Sequence, residues 1–420
     1  MEHVTGLKCT ICGKTYAPGE VEYVCPEHGN DGNLDVQYNY ELIADRLQED
    51  GLLDVRGVWR YKALLPIAYD APTPPLLVGD TPLYRADNVA REIGVGKVWV
   101  KDDGRNPTAS LKDRASALLV AKAMAEGRKI VTTASTGNAA AALAGLAASV
   151  QMPTVIFVPA SAPEAKITQL LVYGANVLLV DGTYDDAFEL CLGATEQYGW
   201  YCRNTGYNPY TAEGKKTVSY EICEQLTGKR GLFRAPDTII VSVGDGNIIA
   251  GVHKGLKDMY ALGWIDRVPR LIGVQAEGSA ALYNTWKAGL DPVEMQPIET
   301  NTIADSISAG LPRDRVKAMR AVTETGGIYL TVSDEEILAA IPKLAQATGV
   351  FAEPAAAATY AGLLKAAGEG VFAPDEEVVA LITGNGLKDV AAAQKAVRQA
   401  PKVSPDLAEA SQVINGIFGS

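Results

Sequence analysis

Lys112 stands near the end of the run Asn106-Pro-Thr-Ala-Ser-Leu-Lys-Asp-Arg114 and just before an apolar stretch, Ala115 to Ala125, of helical character. A lysine where a turn opens a helix is held by its backbone instead of being left in solvent. Such a residue suits covalent chemistry on an aldehyde, because only a neutral amine in a fixed position forms a Schiff base. For one lysine alone the plainer reading is a surface pair with Asp113 or a nearby glutamate.

Three further stretches could meet the same ligand. Ala134-Ser-Thr-Gly-Asn-Ala-Ala140 lies between an expected strand and an expected helix. Its short polar side chains, the close approach allowed by Gly137 and the free amides of the helix start suit a carboxylate. Alone it reads equally as an N-cap with a turn. Val241-Ser-Val-Gly-Asp-Gly-Asn-Ile-Ile249 has the same context with more glycine, so its amides could cradle a phosphate without basic side chains. A dinucleotide fingerprint is excluded by the glycine spacing. Leu381-Ile-Thr-Gly-Asn-Gly-Leu-Lys-Asp389 puts a hydroxyl, Thr383, at a strand end before a glycine turn. A neutral hydroxyl can bond a ring nitrogen without holding it protonated; the alternative is a turn after an edge strand.

Cys9-Thr-Ile-Cys12 and Cys25-Pro-Glu-His28 form two short knuckles separated by twelve residues. Two facing knuckles would supply the four ligands that structural zinc prefers. A small rubredoxin-like flap with free thiols is the alternative, and a closed four-ligand site leaves no open position for catalysis. Cys191, Cys202 and Cys223 are scattered, so no disulfide framework is expected.

These loops need elements to position them. Tyr40 to Leu47 has helical spacing, and Ala71-Pro-Thr-Pro-Pro75 breaks the chain into an extended linker. Leu76–Leu83 and Val98–Asp103 read as short strands. After Lys112 the text alternates: helix 115–126, strand 129–133, helix 139–149, strand 154–158, helix 165–173 and strand 176–180. The rhythm returns with strand 238–243, helix 248–260, strand 270–275 and strand 376–382. Strands alternating with helices of this length pair in parallel through crossovers, so a doubly wound α/β architecture is predicted.

The chain has 420 residues, enough for two or three domains with a large core. Its net charge of −12 argues against nucleic acid or an anionic membrane as partner, so anionic ligands must be held locally. No apolar run is long enough to span a membrane and the first residues lack the apolar core of a leader. A cytoplasmic enzyme is expected.

The four loops together resemble the fold type II pyridoxal-phosphate enzymes and, within them, the threonine synthase family. Pro107-Thr-Ala-Ser-Leu-Lys-Asp-Arg114 is similar to that family's lysine motif, and Ser135-Thr-Gly-Asn138 to its asparagine loop. Phe351-Ala-Glu-Pro-Ala-Ala356 and Thr383-Gly-Asn-Gly-Leu-Lys-Asp389 resemble further signatures of the family. The resemblance implies two doubly wound, mostly parallel domains, and the two knuckles point to a small zinc-ribbon-like module before them. The expected boundaries are 1–35 for the module, 36–100 for an extension and the start of the large domain, 101–215 for the small cofactor domain, and 216–420 for the large one.

It also implies roles: Lys112 holding pyridoxal phosphate and moving protons, and Asn138 bonding the cofactor's phenolic oxygen. Ser135, Thr136 and Gly137 would take the substrate, Gly244, Asp245, Gly246, Asn247 and Ile248 the cofactor phosphate, and Thr383 the pyridine nitrogen. Cys9, Cys12, Cys25 and His28 are the candidate metal ligands. The implied reaction makes threonine and phosphate from O-phosphohomoserine and water, in a homodimer acting on a small amino acid. Elimination from threonine or serine, or β-replacement on phosphoserine as in cysteate synthase, are the alternatives on the same fold. The sequence Thr302-Ile-Ala-Asp-Ser-Ile-Ser-Ala-Gly-Leu-Pro312 lacks the Arg-Ile-Gly common in the family, and a non-catalytic regulatory homologue is opposed by the retained Lys112.

Overall fold

The structure, a computed structural model, describes residues 1–418. Among these, the first unit is an antiparallel sheet of β1 (Val4–Cys9), β2 (Thr15–Tyr16) and β3 (Leu34–Tyr38), in the order β2-β1-β3. Alternation turns Leu7 and Cys9 inward, and a register shift between Val4 and Gly6 brings Val4 to the same side; all three pack with Tyr16, Cys25, Leu34 and Val36. The helix Tyr40–Asp50 follows as expected, capped by the Asn39 side chain on the Leu42 amide.

A six-stranded sheet begins with β4 (Leu83–Arg85) and β5 (Lys97–Asp102). The chain then leaves it for a second sheet of β6 (Val131–Ala134), β7 (Thr154–Pro159), β8 (Asn176–Val180) and β9 (Tyr201–Cys202). It returns with β10 (Thr238–Ser242), β11 (Arg270–Ala276), β12 (Ile328–Val332) and β13 (Glu377–Ile382). The large sheet runs β12-β11-β10-β13-β5-β4, parallel except at β4, and the small one runs β8-β7-β6-β9, all parallel. Central strands such as β10 and β13 are buried along their whole length, as sheets covered by helices on both faces require. The two doubly wound sheets agree with the predicted architecture.

In open α/β sheets, ligands gather beyond the carboxyl ends of the strands where the winding reverses. In the large sheet that point lies between β10 and β13, so the loops concerned are 243–246 and 383–386. In the small sheet it lies between β6 and β9, which selects 135–137 and the segment starting at Arg203.

The expected strand over Leu76–Leu83 is not formed; regular pairing starts only at Leu83. Prolines 74, 75 and 82 lack the amides a ladder needs. The amides of Gly79 and Asp80 are instead taken by side chains, Asn106 Oδ1 and Glu221 Oε1, each at 2.8 Å. Strand β12 and the capped helix Asp334–Thr348 after it were not anticipated. All six cysteines are free, and no described helix is long and apolar enough to cross a membrane.

Candidate active site

Lys112 is the first residue of the helix Lys112–Ala125, and the turn before it is bound from three sides. The Asp113 carboxylate accepts the Thr108 amide at 2.7 Å and also the Thr108 hydroxyl, closing the turn over the helix start. The Leu111 amide donates to the carbonyl of Thr383 at 2.8 Å, and the Asn385 amide donates to Ala109 at 3.1 Å. Ala109 is thereby held at φ +67°, a left-handed conformation that a residue with a Cβ adopts only when its surroundings impose it. Behind it Arg114, fully buried, binds Asp103 at 2.6 Å and Glu221 at 2.7 Å.

Two of the sequence signatures interlock here. Gly386 donates to Phe351 at 2.9 Å and Glu353 to Gly384 at 3.2 Å, through their backbones. A Cβ on Gly384 would fall 2.4 Å from Glu353 Oε1, and one on Gly386 2.2 Å from the Phe351 ring. Both glycines are therefore required by close approach. The buried Glu353 carboxylate in turn accepts the Asn138 amide at 2.7 Å.

Burial lowers the Lys112 amine to a pKa of about 8. Glu353 and Asp245 oppose the shift and the Arg203 guanidinium adds to it. The Glu353 carboxyl is itself pushed up by burial, against the pull of Lys112 and the Asn138 bond.

Lys112 opens on a cavity of about 900 Å³, lined also by Ser135, Thr136, Gly137 and Asn138 and by Gly244 through Ile248. Both winding reversals thus face one space. Gly246, at φ +86°, ends the loop 243–246 and caps the helix Asn247–Ala261; a Cβ there would meet that of Ala318 at 2.6 Å. The Asn247 side chain receives Lys215 and donates to Thr211 at 3.1 Å and to Asp314, so the helix start is fixed. Thr383 is not part of the lining. It directly follows β13, buried, with its carbonyl accepting the Leu111 amide. Cys9, Cys12, Cys25 and His28 gather apart from these residues, with ligand atoms all within 4.8 Å of one another.

The lining also includes groups that sequence reasoning passed over. Arg203, Lys215 and Arg313 enter the cavity with Lys112, and none of the four forms an ion pair among the described residues. Arg203 and Lys215 are fully buried. Nη2 of Arg203 and the hydroxyl of Ser242, another lining residue, find no hydrogen-bond partner among the described residues. Burial lowers Arg203 to about 10 and Lys215 well below its ordinary value, the latter also through its cationic neighbours Lys112 and Arg203. The one sequence signal for Arg203 is the turn-like Asn-Thr-Gly that follows it.

Residues 75–384 match the family described as pyridoxal-phosphate dependent enzyme. The threonine synthase of Methanosarcina acetivorans is 40% identical over 91% of this chain and 92% of its own length. That of Methanocaldococcus jannaschii is 38% identical over 95% and 97%. Among solved structures, the processed threonine deaminase isoform 2 of Solanum lycopersicum aligns with a TM-score of 0.63 at 23% identity, covering 76% of this chain and 87% of that one. O-ureido-L-serine synthase aligns with a TM-score of 0.64 at 20% identity over 79% and 96%. At these identities the structural likeness speaks for the fold, and it is the two threonine synthase sequences, matched almost end to end, that place this chain in the threonine synthase family of the pyridoxal-phosphate dependent enzymes.

Proposed function

We propose that the protein converts O-phospho-L-homoserine and water into L-threonine and inorganic phosphate, with Lys112 moving the protons. The residues present fit pyridoxal phosphate. A half-buried amine of lowered pKa, an amide-rich loop at a helix start and an asparagine face one cavity of suitable size. The cofactor, when bound, supplies the electron sink for negative charge at the substrate Cα.

The chain's own residues account for the rest. Lys112 would hold the cofactor and serve as base and acid, since its amine is substantially neutral near pH 8. Amides of 244–248 receive the cofactor phosphate, and Asn138 is the partner of its phenolic oxygen. Ser135, Thr136 and Gly137, at the start of the helix Asn138–Ala148, take the substrate carboxylate. Thr383 is proposed to answer the ring nitrogen. Lys112 draws protons from Cα and then Cβ, and phosphate leaves Cγ. Protons return to Cγ and Cα as water adds its hydroxyl to Cβ.

The observation that carries the substrate is the group of basic side chains that form no ion pair among the described residues. An uncompensated buried charge is costly, so such groups mark where an anion binds. If the glycine loop serves the cofactor phosphate, Arg203, Lys215 and Arg313 remain for a second one. Elimination from threonine or serine would use none of them. A homodimer belongs to the same reading and rests on the resemblance, with light scattering of the holoenzyme as its test; a cytoplasmic location rests on the sequence expectation alone.

The deciding experiment measures phosphate release and threonine formation from O-phosphohomoserine beside turnover of threonine, serine and O-phosphoserine. Turnover of phosphohomoserine should dominate in kcat/KM. Arg203→Gln should raise its KM, with a loss in kcat/KM of about tenfold or more for a charged hydrogen bond. Preferred turnover of unphosphorylated threonine or serine would overturn the assignment.

A further inference from the structure

The structure assigns Cys9, Cys12, Cys25 and His28 to a structural zinc site that pins residues 29–33 as part of the active-site wall. Cys9 lies at the end of β1 and the two knuckles are near copies. Each ends in a left-handed glycine, Gly13 at φ +74° and Gly29 at φ +51°. Each glycine amide closes the turn on the carbonyl of the first ligand, Gly13 on Cys9 at 3.1 Å and Gly29 on Cys25 at 2.9 Å.

The side chains converge as a tetrahedral ion demands. His28 Nδ1 stands 3.5 Å from Cys25 Sγ and 4.0 Å from Cys9 Sγ. Zn–S bonds of about 2.3 Å imply a tetrahedron edge of about 3.8 Å. Amides of Ile11 and Cys12 point at the Cys9 sulfur and that of Glu27 at Cys25, the direction in which amides support thiolates bound to a cation. The chain then folds back so tightly that a Cβ on Gly32 would sit 2.7 Å from that of Cys25 and 2.8 Å from that of His28. Three sulfurs and one nitrogen complete the coordination and leave no open position, so the ion is structural.

The next residues reach the active site. Asn30 and Asp31 line its cavity, and Asp31 binds Arg315 at 2.7 Å. Asn33 donates to Asp314 at 2.9 Å, and Asp314 receives Asn247, the first residue of the helix after the glycine loop. The first knuckle is tied to the same segment, with Thr10 accepting Arg320 at 3.0 Å. A metal that holds the knuckles together therefore also holds this wall.

The test uses the holoenzyme purified without added metal and does not depend on which reaction it catalyses. Elemental analysis should find one zinc per chain. Replacement by cobalt(II) should give the visible bands of tetrahedral cobalt with thiolate charge transfer. Cys12→Ser, at the exposed ligand, should lose both. Hydrogen exchange of the metal-depleted enzyme should quicken at 29–33 and 313–315 while the interior of β10 stays protected. A trace of zinc with no uptake from zinc sulfate after thiol reduction overturns the site. Full zinc with unchanged exchange on its removal overturns the role in the wall. If Cys12→Ser does not fold, the cobalt spectrum of the unaltered chain decides.

Discussion

Lys112 owes its lowered basicity to burial, and that makes its behaviour measurable. The neutral amine is the reactive form, so the rate at which apoenzyme takes up pyridoxal phosphate should rise with pH through about 8 and then level. An ordinary lysine would still be gaining near about 10.4. Glu353 raises the Lys112 pKa, so Glu353→Gln should move the midpoint to lower pH. No movement would mean that Glu353 is already neutral in the native site. Lys112→Ala should bind the cofactor without the covalent absorption band and lose about 10²- to 10⁴-fold in turnover, the usual range for removing an acid–base group. Thr383→Ser should retain substantial activity, whereas Thr383→Val, similar in shape but without a hydroxyl, should lose much of it. A valine variant with full turnover and full cofactor occupancy would reduce Thr383 to its observed backbone role beneath Leu111.

One helix start carries most of the site's precision, and a buried charge cluster holds it. Arg114, Asp103, Glu221 and Lys101 have almost no solvent exposure. Removing Arg114 leaves the buried Asp103 without a cationic partner and Glu221 with Lys101 alone, so Arg114→Met should cost about 3–5 kcal/mol in urea unfolding. Glu221 is held below the ordinary carboxylate range in spite of burial, by Arg114 and Lys101. A depressed carboxylate stabilises the fold above its unfolded pKa, about 4.3, and that contribution should fade as the pH drops below it. The rhythm of elements was legible because strands such as β7 and β13 are short apolar runs between helices of regular length. Loop positions followed, since each lies at a strand's carboxyl end. Arg203 escaped notice because β9 has two residues, too few for any periodic signal. Lys215 sits in Glu-Gly-Lys-Lys, text that reads as a solvated helix end; its burial comes from packing against the helix Asn247–Ala261, a contact between distant segments. The need for glycine at 384 and 386 likewise appears only when Phe351 and Glu353 are seen against them.

At the scale of the whole molecule, the two sheets are arranged so that both winding reversals open on one cavity. Neither carries a complete site. Residues 133–139 come from the small sheet, residues 242–249 from the large one, and Lys112 from the helix between β5 and β6. A cofactor touching both loops must link the two units, so its binding energy should appear as stability shared between them. In Lys112→Ala, where attachment is reversible, pyridoxal phosphate at a hundred times its Kd should add about 2.7 kcal/mol to unfolding. Hydrogen exchange should slow at 135–139 and at 243–248 together, with the same dependence on cofactor concentration. Inorganic phosphate, which can engage the amide loop and the cations but not Asn138 through a phenolic oxygen, should protect 243–248 more than 135–139. Protection by pyridoxal phosphate confined to one of the two loops would show that the cofactor rests on a single sheet, and the shared site inferred from the winding order would be wrong.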